Sequence, residues 1–406
     1  MDKSWIQDKW IVSPYNFAGE VLSQMDLPEK VYIYDVTLRD GEQCPGVVFR
    51  KDEKVAIAKA LAEVGVHRLE AGMPVVSDQD RQAVKEIAGL GMGTKVKAFC
   101  RARKDDIDLA RSCDVWGVII ELPSSEMLID IGYRWDKERV LDMAIDAALY
   151  AKGYGLHTTF FSIDTTRADL EFLKNLYTKI VEEGKADAIA VVDTFGVSAP
   201  WAFNYLIRMV KSWIDVPIEV HCHNDMGLAV ANSLSAVTAG AEVIHTNVNG
   251  LGERSGGAAL EEVAIGLRTL LNMDIGLDYS KLVKLSKTVE RISGVKLSPM
   301  KPVVGDQSFA YEAGIAIMFS RRFREKGFMQ GALPYLPEFV GNEFKIVLGK
   351  KSGGYSIMEK LEELGLKAGK EEVRQILARV KDESLKRKSA ISDELFKEIY
   401  KEVVGG

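Results

Sequence analysis

The feature that most constrains the fold is a regular alternation of short apolar runs with amphipathic stretches of helical period. The runs are rich in β-branched residues and lie at residues 31–36, 66–72, 95–100, 115–122, 156–161, 187–193, 217–223 and 242–250. Strands that are buried on both faces form continuous apolar runs, and helices between them permit parallel pairing. Eight such units predict an α/β fold of the closed (β/α)₈ type, a TIM barrel. A Rossmann-like sheet is the alternative, but no run is followed by the GxGxxG turn that it requires.

Helix signals between and after these runs indicate the domain organisation. The stretch 166–184 is predicted to form a helix that begins near Thr166 and ends at Gly184. After residue 272 the alternation stops; one further helix is predicted at 278–294, and short helical segments begin at 352. We therefore predict four parts, which are an N-terminal extension (1–27), the barrel domain (28–275), a linker or first subdomain (276–350) and a small helical C-terminal subdomain (351–406).

Composition and charge argue against several classes of protein. The 406-residue chain has 53 Lys and Arg against 59 Asp and Glu and shows no basic stripe, so no nucleic-acid partner is expected. It has no apolar stretch long enough for a membrane helix, and the N-terminal MDKSWIQDKW lacks the apolar core of a signal peptide. The four cysteines show no CxxC spacing. We predict a cytoplasmic protein with reduced thiols and no membrane partner.

Polar residues follow the apolar runs at the positions where a parallel barrel builds its active site. The carboxyl ends of parallel barrel strands share one face, and that face carries the site. The polar residues at these ends are Arg39, Asp40 and Gln43 after the first run, Glu70 in the second, Asp193 and Thr194 at the end of the sixth, His221 and His223 in the seventh, and Glu253 and Arg254 after the eighth. Their common position predicts a single site at the mouth of the barrel.

His221 and His223 give the most specific indication of chemistry. Side chains at i and i+2 on a strand point the same way, so the two imidazoles face one point while Cys222 points away. Two core histidines are the alternative, but each would then need a hydrogen-bond partner in apolar surroundings. With Asp40 as the third ligand, the set suits Mn²⁺, Mg²⁺, Zn²⁺ or Co²⁺ and leaves positions open for an oxygen-rich substrate. Asn224, the next residue, is assigned to the shell behind the ligands.

The other polar residues have more than one interpretation. Arg39 is expected to face an oxyanion or a carboxylate rather than Asp40, because adjacent residues at a strand end point apart. Glu70 is either an acid–base group or an orienter of Arg39. Thr194 either binds a substrate carboxylate or bonds the local backbone. Asp193 is expected to hold a histidine N–H or Arg39 behind the metal.

The glycine-rich loop after the last run, NGLGERSGGA, is predicted to form a lid over the mouth. Its glycine content favours mobility, although a simple turn between strand and helix is the alternative. The residues assigned to the lid are Gly252, Glu253 and Arg254.

Taken together, these motifs resemble a known family. DVTLRDGEQ, RLEAGMP, VVDTFG, HCHNDMGLAVANSL and NVNGLGERSGGAALEE resemble the DRE-TIM metallolyases, and more narrowly the 2-isopropylmalate, homocitrate and citramalate synthases. KPVVGDQSFAYEAGI and VLGKKSGGYSI extend the resemblance, which covers roughly residues 28–360. Several motifs in order, each at its own strand end, are far more specific than one short pattern.

The resemblance implies a metal-dependent Claisen condensation. A divalent ion would chelate a 2-oxo acid, an acyl-CoA such as acetyl-CoA would supply the enolate, and thioester hydrolysis would leave a 2-hydroxy diacid or triacid. Members are commonly homodimers in which the region after the barrel, 297–345 here, reaches the partner's site. By position, the metal ligands are Asp40, His221 and His223, the catalytic residues are Arg39 and Glu70, and the substrate-positioning residues are Gln43 and Thr194.

The sequence departs from the family in its candidate bases. Gly257 stands where synthases usually have asparagine, and the usual FSxED and HxxGIH motifs read FFSID and YEAGIA. Phe161 and Ile163 therefore replace a serine and a glutamate, and Tyr311 and Ala316 replace two histidines. Tyr311 keeps a catalytic assignment by position, although a phenol is a poor base unless its pKa is strongly lowered. The carboxylates able to take over are Glu121, Glu126 and Glu312.

These departures leave further functions open. The lost bases predict a divergent member with an unusual oxo acid or acyl donor, and a Re-face citrate synthase is one such member. HMG-CoA lyase, in the same family, runs the reverse cleavage, but its mobile loop carries a cysteine that GLGERSGGA lacks. A non-catalytic oxo-acid-binding protein is the third alternative. The synthase is favoured over both.

Overall fold

The computed structural model describes residues 4–405. Contacts within the chain divide it into two compact units. The larger unit is Tyr15–Leu297. The smaller unit combines the N-terminal residues up to Pro14 with the chain from Ser298 onward.

The larger unit contains a closed barrel of eight parallel strands that follow one another in chain order. They are β1 (Tyr32–Asp35), β2 (Arg68–Glu70), β3 (Lys95–Arg101), β4 (Gly117–Pro123), β5 (His157–Ile163), β6 (Ala188–Asp193), β7 (Ile218–Cys222) and β8 (Val243–Thr246). Tyr34 of β1 pairs with Arg68 on one side and with His245 on the other, which closes the barrel. The predicted TIM barrel is confirmed, and each apolar run forms one strand.

Helices precede, connect and follow these strands. They are α1 (Gly19–Leu22), α2 (Lys51–Val64), α3 (Asp78–Ala88), α4 (Lys104–Arg111), α5 (Lys137–Gly153), α6 (Leu170–Glu182), α7 (Pro200–Lys211), α8 (Ala229–Val237), α9 (Leu260–Leu270) and α10 (Leu282–Ser293). Each long helix buries an apolar stripe; in α2 the stripe includes Val55, Ile57 and Leu61. Gly65 ends α2 with φ of 92°, a left-handed conformation that favours glycine.

The predicted start of the helix near Thr166 is wrong. A short 3₁₀ turn covers Thr165–Arg167, and α6 begins at Leu170. Asp169 precedes it, and its side chain accepts a hydrogen bond from the N–H of Phe172 at 2.9 Å. Asp is a stronger N-cap than Thr, and this cap fixes where the helix begins.

The larger unit extends past the last barrel strand to include α10. This helix packs against α2 on the outside of the barrel, so the unit ends at Leu297. The predicted boundary between residues 275 and 276 falls inside this unit. A helix of period 3.6 gives no local sign of what it packs against, and this contact joins segments far apart in the chain.

Inward-facing residues occupy two layers inside the barrel. Residues two positions apart on a strand share a face, and the buried interior cluster includes Tyr34, Phe99, Ile119 and Phe161. The lower layer consists of Arg68, Lys97, Thr159, Glu219 and His245. The mouth layer lies two residues further along the same strands and consists of Glu70, Phe99, Phe161, His221 and Asn247. Polar strand-end residues thus face the mouth, as the alternation predicts.

The smaller unit is mainly helical. Its elements are β9 (Ala310–Tyr311), α11 (Gly314–Glu325), β10 (Lys345–Ile346), α12 (Gly354–Glu363), α13 (Lys370–Arg387) and α14 (Asp393–Val404). Ile357, Ile376, Val380 and Phe396 form the centre of its apolar core. The predicted C-terminal helices are therefore present. Among residues 4–405, no helix is long and apolar enough to cross a bilayer.

Candidate metal centre and active site

Asp40, His221 and His223 lie together at the mouth of the barrel. β7 carries His221 on its inner face, His223 lies just beyond the end of β7, and Asp40 begins the turn that follows β1. The Nε2 atoms of the two histidines are 3.3 Å apart, and each lies 3.8 Å from Oδ1 of Asp40. All three side chains are buried, with their candidate ligand atoms within 4.8 Å of one another.

This arrangement fits a divalent ion. Atoms at these separations share a point about 2 Å from each of them, the usual length of bonds from such ions to imidazole nitrogen and carboxylate oxygen. Burial, reinforced by the neighbouring His223, lowers the pKa of His221, so its imidazole is neutral and its lone pair is available. Nδ1 of His223 lies 3.3 Å from the carbonyl oxygen of Gly256, which leaves Nε2 as the free nitrogen.

Arg39 is held beside these ligands by two side chains. Its Nε donates to Oε2 of Glu70 at 2.5 Å, and its Nη1 donates to Oε1 of Gln43 at 3.3 Å. The guanidinium carbon lies 4.1 Å from the centre of the Phe99 ring. Its Nη2 atom is buried and has no hydrogen-bond partner among residues 4–405. A fixed donor without a partner is suited to a negatively charged oxygen.

The contacts of Glu70 and Asp40 bear on two earlier expectations. Glu70 accepts a hydrogen bond from Arg39 with one oxygen and from the hydroxyl of Tyr34, at 3.4 Å, with the other, which favours the orienting interpretation. The expectation that Arg39 and Asp40 point apart is wrong, since Nη1 lies 3.4 Å from Oδ1. Asp40 has φ of −67° and ψ of −39°, a turn conformation in which strand alternation no longer applies.

Thr194 directly follows β6, and its side chain bonds the backbone just after the neighbouring strand β5 instead of the backbone local to it. Its Oγ1 accepts a hydrogen bond from the N–H of Asp164 at 2.8 Å. The hydroxyl can still donate its own proton, so a substrate carboxylate has a donor here. Its substrate-binding role stays a prediction.

The carboxylate of Asp193 does not hold a histidine ring or Arg39. It points to the outer face of β6, where it accepts hydrogen bonds from the Thr166 hydroxyl at 2.9 Å and from the N–H groups of Val197 and Ser198 at 3.1 and 3.2 Å. Asp193 therefore fixes the loop after β6, in place of the role expected behind the metal.

Asn224 contributes to the outer shell mainly through its backbone. Its side-chain oxygen accepts from the N–H of Ala229 at 3.1 Å, which orders the start of α8. Its own N–H donates to the Gly256 carbonyl oxygen at 2.9 Å, the same oxygen that contacts His223. Asn224 thus joins β7 to the glycine-rich loop.

The glycine-rich loop, residues 250–257, lies against the metal ligands. A Cβ on Gly252 would lie 2.8 Å from Oδ2 of Asp40, so the absence of a side chain permits this close approach. Gly256 has φ of 82°, the left-handed region that glycine tolerates. The loop backbone can therefore fold back over the mouth without displacing Asp40.

Arg254 ties this loop to the far side of the mouth. It forms a two-point ion pair with Asp225 at 2.9 and 3.0 Å and donates to the carbonyl oxygen of Thr194 at 2.6 Å. Glu253 lies beside it, 3.3 Å from Nη1. These contacts describe a closed loop, and its opening as a lid stays a prediction.

Asn247 is a site residue that the sequence analysis missed. It directly follows β8, is 1% exposed, and donates from Nδ2 to Oδ2 of Asp40 at 3.0 Å. A Cβ on Gly257 would lie 2.5 Å from Oδ1 of Asn247, so this amide requires glycine at position 257. The family's usual asparagine is absent at position 257, and Asn247 supplies a side-chain amide at this place instead. The sequence did contain a signal for this residue, because position 247 lies two residues after His245 and therefore shares its inward face.

The positions of the missing family bases hold apolar or already paired side chains. Phe161 packs edge-on against His221, with ring centroids 5.3 Å apart. Ile163 is partly buried. Asp164, the next acid, is fully buried and pairs with Arg167 at 2.8 Å. None of these three side chains is an uncommitted base.

Tyr311 belongs to the smaller unit. It stacks on Phe344 with ring centroids 5.4 Å apart, and burial raises the pKa of its phenol. A phenol with a raised pKa is protonated at neutral pH, so it is an even weaker base than free tyrosine. Its catalytic role stays a prediction.

A cleft of about 520 Å³ opens beside Arg39 and Gln43. Its apolar lining consists of Leu38, Val47, Val48, Phe49, Met73 and Val76. This volume lies within the range, roughly 300–1,000 Å³, that is typical of small-molecule sites. Arg39 and Gln43 form part of the wall of this cleft.

These features define a class of protein, namely a TIM barrel with a buried Asp–His–His set and a fixed arginine at the carboxyl ends of its strands. Residues 30–289 match the family described as HMGL-like. The chain therefore belongs to the HMGL-like family.

Relatives extend the similarity beyond the barrel. The chain is 40% identical to the homocitrate synthase AksA of Methanothermobacter thermautotrophicus, over 98% of this chain and 99% of that protein. It is 41% identical to the 2-isopropylmalate synthase of Methanocaldococcus jannaschii, over 95% of this chain and 74% of that protein. Similar identities thus connect it to proteins named for different products.

Solved structures support the fold alone. The hydroxymethylglutaryl-CoA lyase of Pseudomonas aeruginosa superposes with a TM-score of 0.59, covering 67% of this chain and 96% of that chain. The sequence identity is 21%, so the similarity concerns the barrel and not the reaction.

Proposed function

We propose that this protein is a divalent-metal-dependent acyltransferase that condenses an acyl-CoA, with acetyl-CoA as the expected donor, and a 2-oxo acid. The thioester is then hydrolysed, which releases CoA and a 2-hydroxy diacid or triacid. The proposal rests chiefly on one observation: three buried ligand atoms converge next to an arginine whose Nη2 has no partner. The names of the relatives support the same reaction class.

The ligand set explains how the oxo acid would be held. Asp40, His221 and His223 would supply three ligand atoms, which leaves coordination positions of a divalent ion for two oxygens of a 2-oxo acid. When bound, the divalent ion supplies Lewis-acid polarisation of the keto group. Asn247 keeps Asp40 in place by donating to its second oxygen.

Arg39 would stabilise the charge that develops on the keto oxygen during attack. Glu70 and Gln43 fix the guanidinium before substrate binds, so little reorganisation is needed in the transition state. Thr194 would donate its hydroxyl proton to the substrate carboxylate from the opposite side of the mouth. The cleft beside Arg39 would admit the acyl thioester.

The test is release of CoA thiol, followed with a thiol reagent. The purified protein is stripped with a chelator, reloaded with Mn²⁺, and given acetyl-CoA with oxaloacetate, 2-oxoglutarate, pyruvate or 2-oxoisovalerate. We expect thiol release with at least one oxo acid, dependent on added metal, and a product whose mass equals oxo acid plus an acetate unit. The screen includes all four because the relatives carry names for different products.

Three results would overturn the proposal. One is thiol release that does not depend on the oxo acid, which would indicate simple thioester hydrolysis. The second is no release with any pair, together with cleavage of a 3-hydroxyacyl-CoA, which would assign the lyase reaction. Tight oxo-acid binding by calorimetry without turnover would assign the non-catalytic alternative.

A homodimer is part of the same proposal, because it is implied by the family resemblance. Sedimentation or light scattering at micromolar concentration measures it directly. We expect a mass close to twice the 44.9 kDa of the chain. A single 44.9 kDa species that is fully active would contradict the dimer but would leave the proposed reaction intact.

A further inference from the structure

We propose that Glu121 is the general base that takes the α-proton from the acyl thioester. The assignment rests on the proposed function, since it concerns the same reaction. It is carried by the position of Glu121 on β4, the absence of a partner for its carboxylate, and the neighbouring charges.

The position of Glu121 follows from strand alternation. Ile119 belongs to the interior cluster of the barrel, and Glu121 shares its face two residues nearer the carboxyl end of β4. In the sheet it lies opposite Arg101 on β3 and Phe161 on β5. Its carboxylate is therefore directed into the mouth, at the level of the ring that packs on His221.

Glu121 differs from the other acids of the mouth in having no partner. Within residues 4–405 it forms no hydrogen bond and no ion pair, although it is partly buried. Glu70 is bound to Arg39, Asp164 to Arg167, and Asp225 to Arg254, and Asp40 accepts from Asn247. A catalytic base must be free to reach its substrate, and among these acids only Glu121 is uncommitted.

The two other glutamates suggested by the sequence are less suitable. Glu126 is exposed and pairs with Lys137 at 2.5 Å. Glu312 belongs to the smaller unit and accepts a hydrogen bond from the N–H of Lys351 at 2.7 Å. A carboxylate that is already committed to a partner is not free to take a proton from the substrate.

Glu121 lies within electrostatic range of several charged groups, and Arg39 is one of them. Arg39 and Arg101 attract its charge, while Glu70 and Asp106 oppose it, and the carboxylate in turn acts on Tyr133. Burial raises the pKa of Glu121 to about 7, against the attraction of Arg39. A base with such a pKa is matched to proton transfer near neutral pH. Glu121 lies opposite Phe161, whose ring packs on the metal ligand His221, so its carboxylate shares the mouth in which Arg39 would face the keto oxygen.

The step balances with water as the only further reactant. The Glu121 carboxylate takes the proton from the α-carbon, the C–H electron pair becomes the enolate double bond, and the negative charge moves to the thioester oxygen. The enolate carbon then bonds to the keto carbon while the keto C=O π bond breaks, and its electron pair stays on the keto oxygen, which takes a proton from water to become the 2-hydroxyl group. In the hydrolysis, water supplies the hydroxyl of the new carboxyl group and the proton of the CoA thiol, and after product release Glu121 returns its proton to water.

The test compares Glu121→Gln with Glu126→Gln in the metal-loaded full chain. We expect E121Q to lower kcat by about 100-fold or more, while oxo-acid binding by calorimetry and the melting temperature stay close to wild type. E126Q should match wild type. In D₂O with an oxo-acid analogue, wild type should exchange the acetyl-CoA methyl protons, whereas E121Q should not.

Two further readouts separate a base from a structural residue. In wild type, kcat/KM should fall as pH drops below about 7, and E121Q should lack this acid limb. Formate should partly restore the rate of E121A, because a small carboxylate can occupy the space left by the side chain. A merely structural role would give neither effect.

The proposal would be overturned by E121Q with kcat within about threefold of wild type, or with undiminished methyl exchange. A raised KM for the oxo acid at unchanged kcat would also overturn it and assign the group to oxo-acid recognition. If wild type itself releases no thiol, the proposed function fails first and this assignment falls with it. An active wild type with an equally active E121Q rejects only the base.

Discussion

The two layers inside the barrel differ in how their charges are satisfied. In the lower layer, Glu219 binds Arg68 at 2.7 Å and His245 at 2.9 Å, and lies 3.5 Å from Lys97. Burial raises the pKa of Glu219, but the attraction of Lys97 and the hydrogen bond from His245 outweigh it and hold the pKa well below its usual value. Each charged group here has a partner of opposite sign.

The mouth, two residues higher, leaves polar atoms unmatched. Nη2 of Arg39 is buried without a partner, and the Glu121 carboxylate has none among residues 4–405. Leaving a buried polar group unpaired costs free energy unless a ligand supplies the partner. One barrel interior therefore holds paired charges in its lower layer and unpaired polar groups, suited to a ligand, at its mouth.

The largest effect should come from breaking the paired layer. Glu219→Gln leaves Arg68 and Lys97 without their anion, and breaking a buried pair costs about 3–5 kcal/mol in the free energy of unfolding. Urea unfolding of wild type and E219Q measures this difference in the free energy of unfolding. The matched control is Glu126→Gln, whose exposed pair with Lys137 should contribute less than about 1 kcal/mol.

The same variant has a pH signature. Because folding lowers the pKa of Glu219 below its ordinary 4.5, its contribution is full above that pH and declines as pH falls further. The difference between wild type and E219Q should therefore shrink on acidification below about pH 4.5. Equal stability of the two proteins at pH 7 would contradict the assignment of this layer to stability.

The mouth should respond through its ligand instead. Asp40→Asn removes a ligand atom, so Mn²⁺ should no longer raise the free energy of unfolding. In wild type, Mn²⁺ at 100 times its Kd should add about 2.7 kcal/mol. Exposed Asp105, which pairs with Arg103, is the control, and D105N should keep the Mn²⁺ effect. An undiminished Mn²⁺ effect in D40N would show that the ion does not bind through Asp40.

The fit between Asn247 and Gly257 should have a smaller effect. Gly257→Asn places a side chain where Oδ1 of Asn247 lies, which disturbs the amide that supports Asp40. We expect a loss of about 10–100-fold in Mn²⁺ affinity, measured by calorimetry. The double variant N247A/G257N should recover much of it.

Gly153 provides the control for that pair. A side chain there meets nothing within 4 Å, so G153N should leave Mn²⁺ affinity unchanged. If G257N binds Mn²⁺ as wild type does, Asn247 has no part in the site.

The smallest expected effect concerns the glycine-rich loop. Arg254→Lys keeps the charge but loses the two-point contact with Asp225, a change of about 0.5–1 kcal/mol. Hydrogen exchange of residues 250–257 should accelerate a few-fold. The control is Arg103→Lys, because Arg103 forms a similar two-point contact with Asp105 on the surface, away from the loop. Unchanged exchange in R254K would show that this ion pair does not hold the loop.

Short-range pattern was enough to predict much of the molecule. Apolar runs alternating with helical stretches determined the barrel, since both periods are local properties of the chain. The spacing of His221 and His223 determined that both rings face one point, and the order of the strands brought Asp40 to the same mouth. The start of α6 was misjudged because Asp169 outcompeted Thr166 as a cap.

Tertiary structure alone decided which polar groups are paired. Asn247 and Asp40 are 207 residues apart in the chain, and no local pattern reports their hydrogen bond. The same holds for Asp193, which turns outward to fix a loop, and for Glu121, which differs from Glu126 only by where its carboxylate lies. Sequence period sets the face on which a side chain projects, whereas its partners depend on how distant segments close around it.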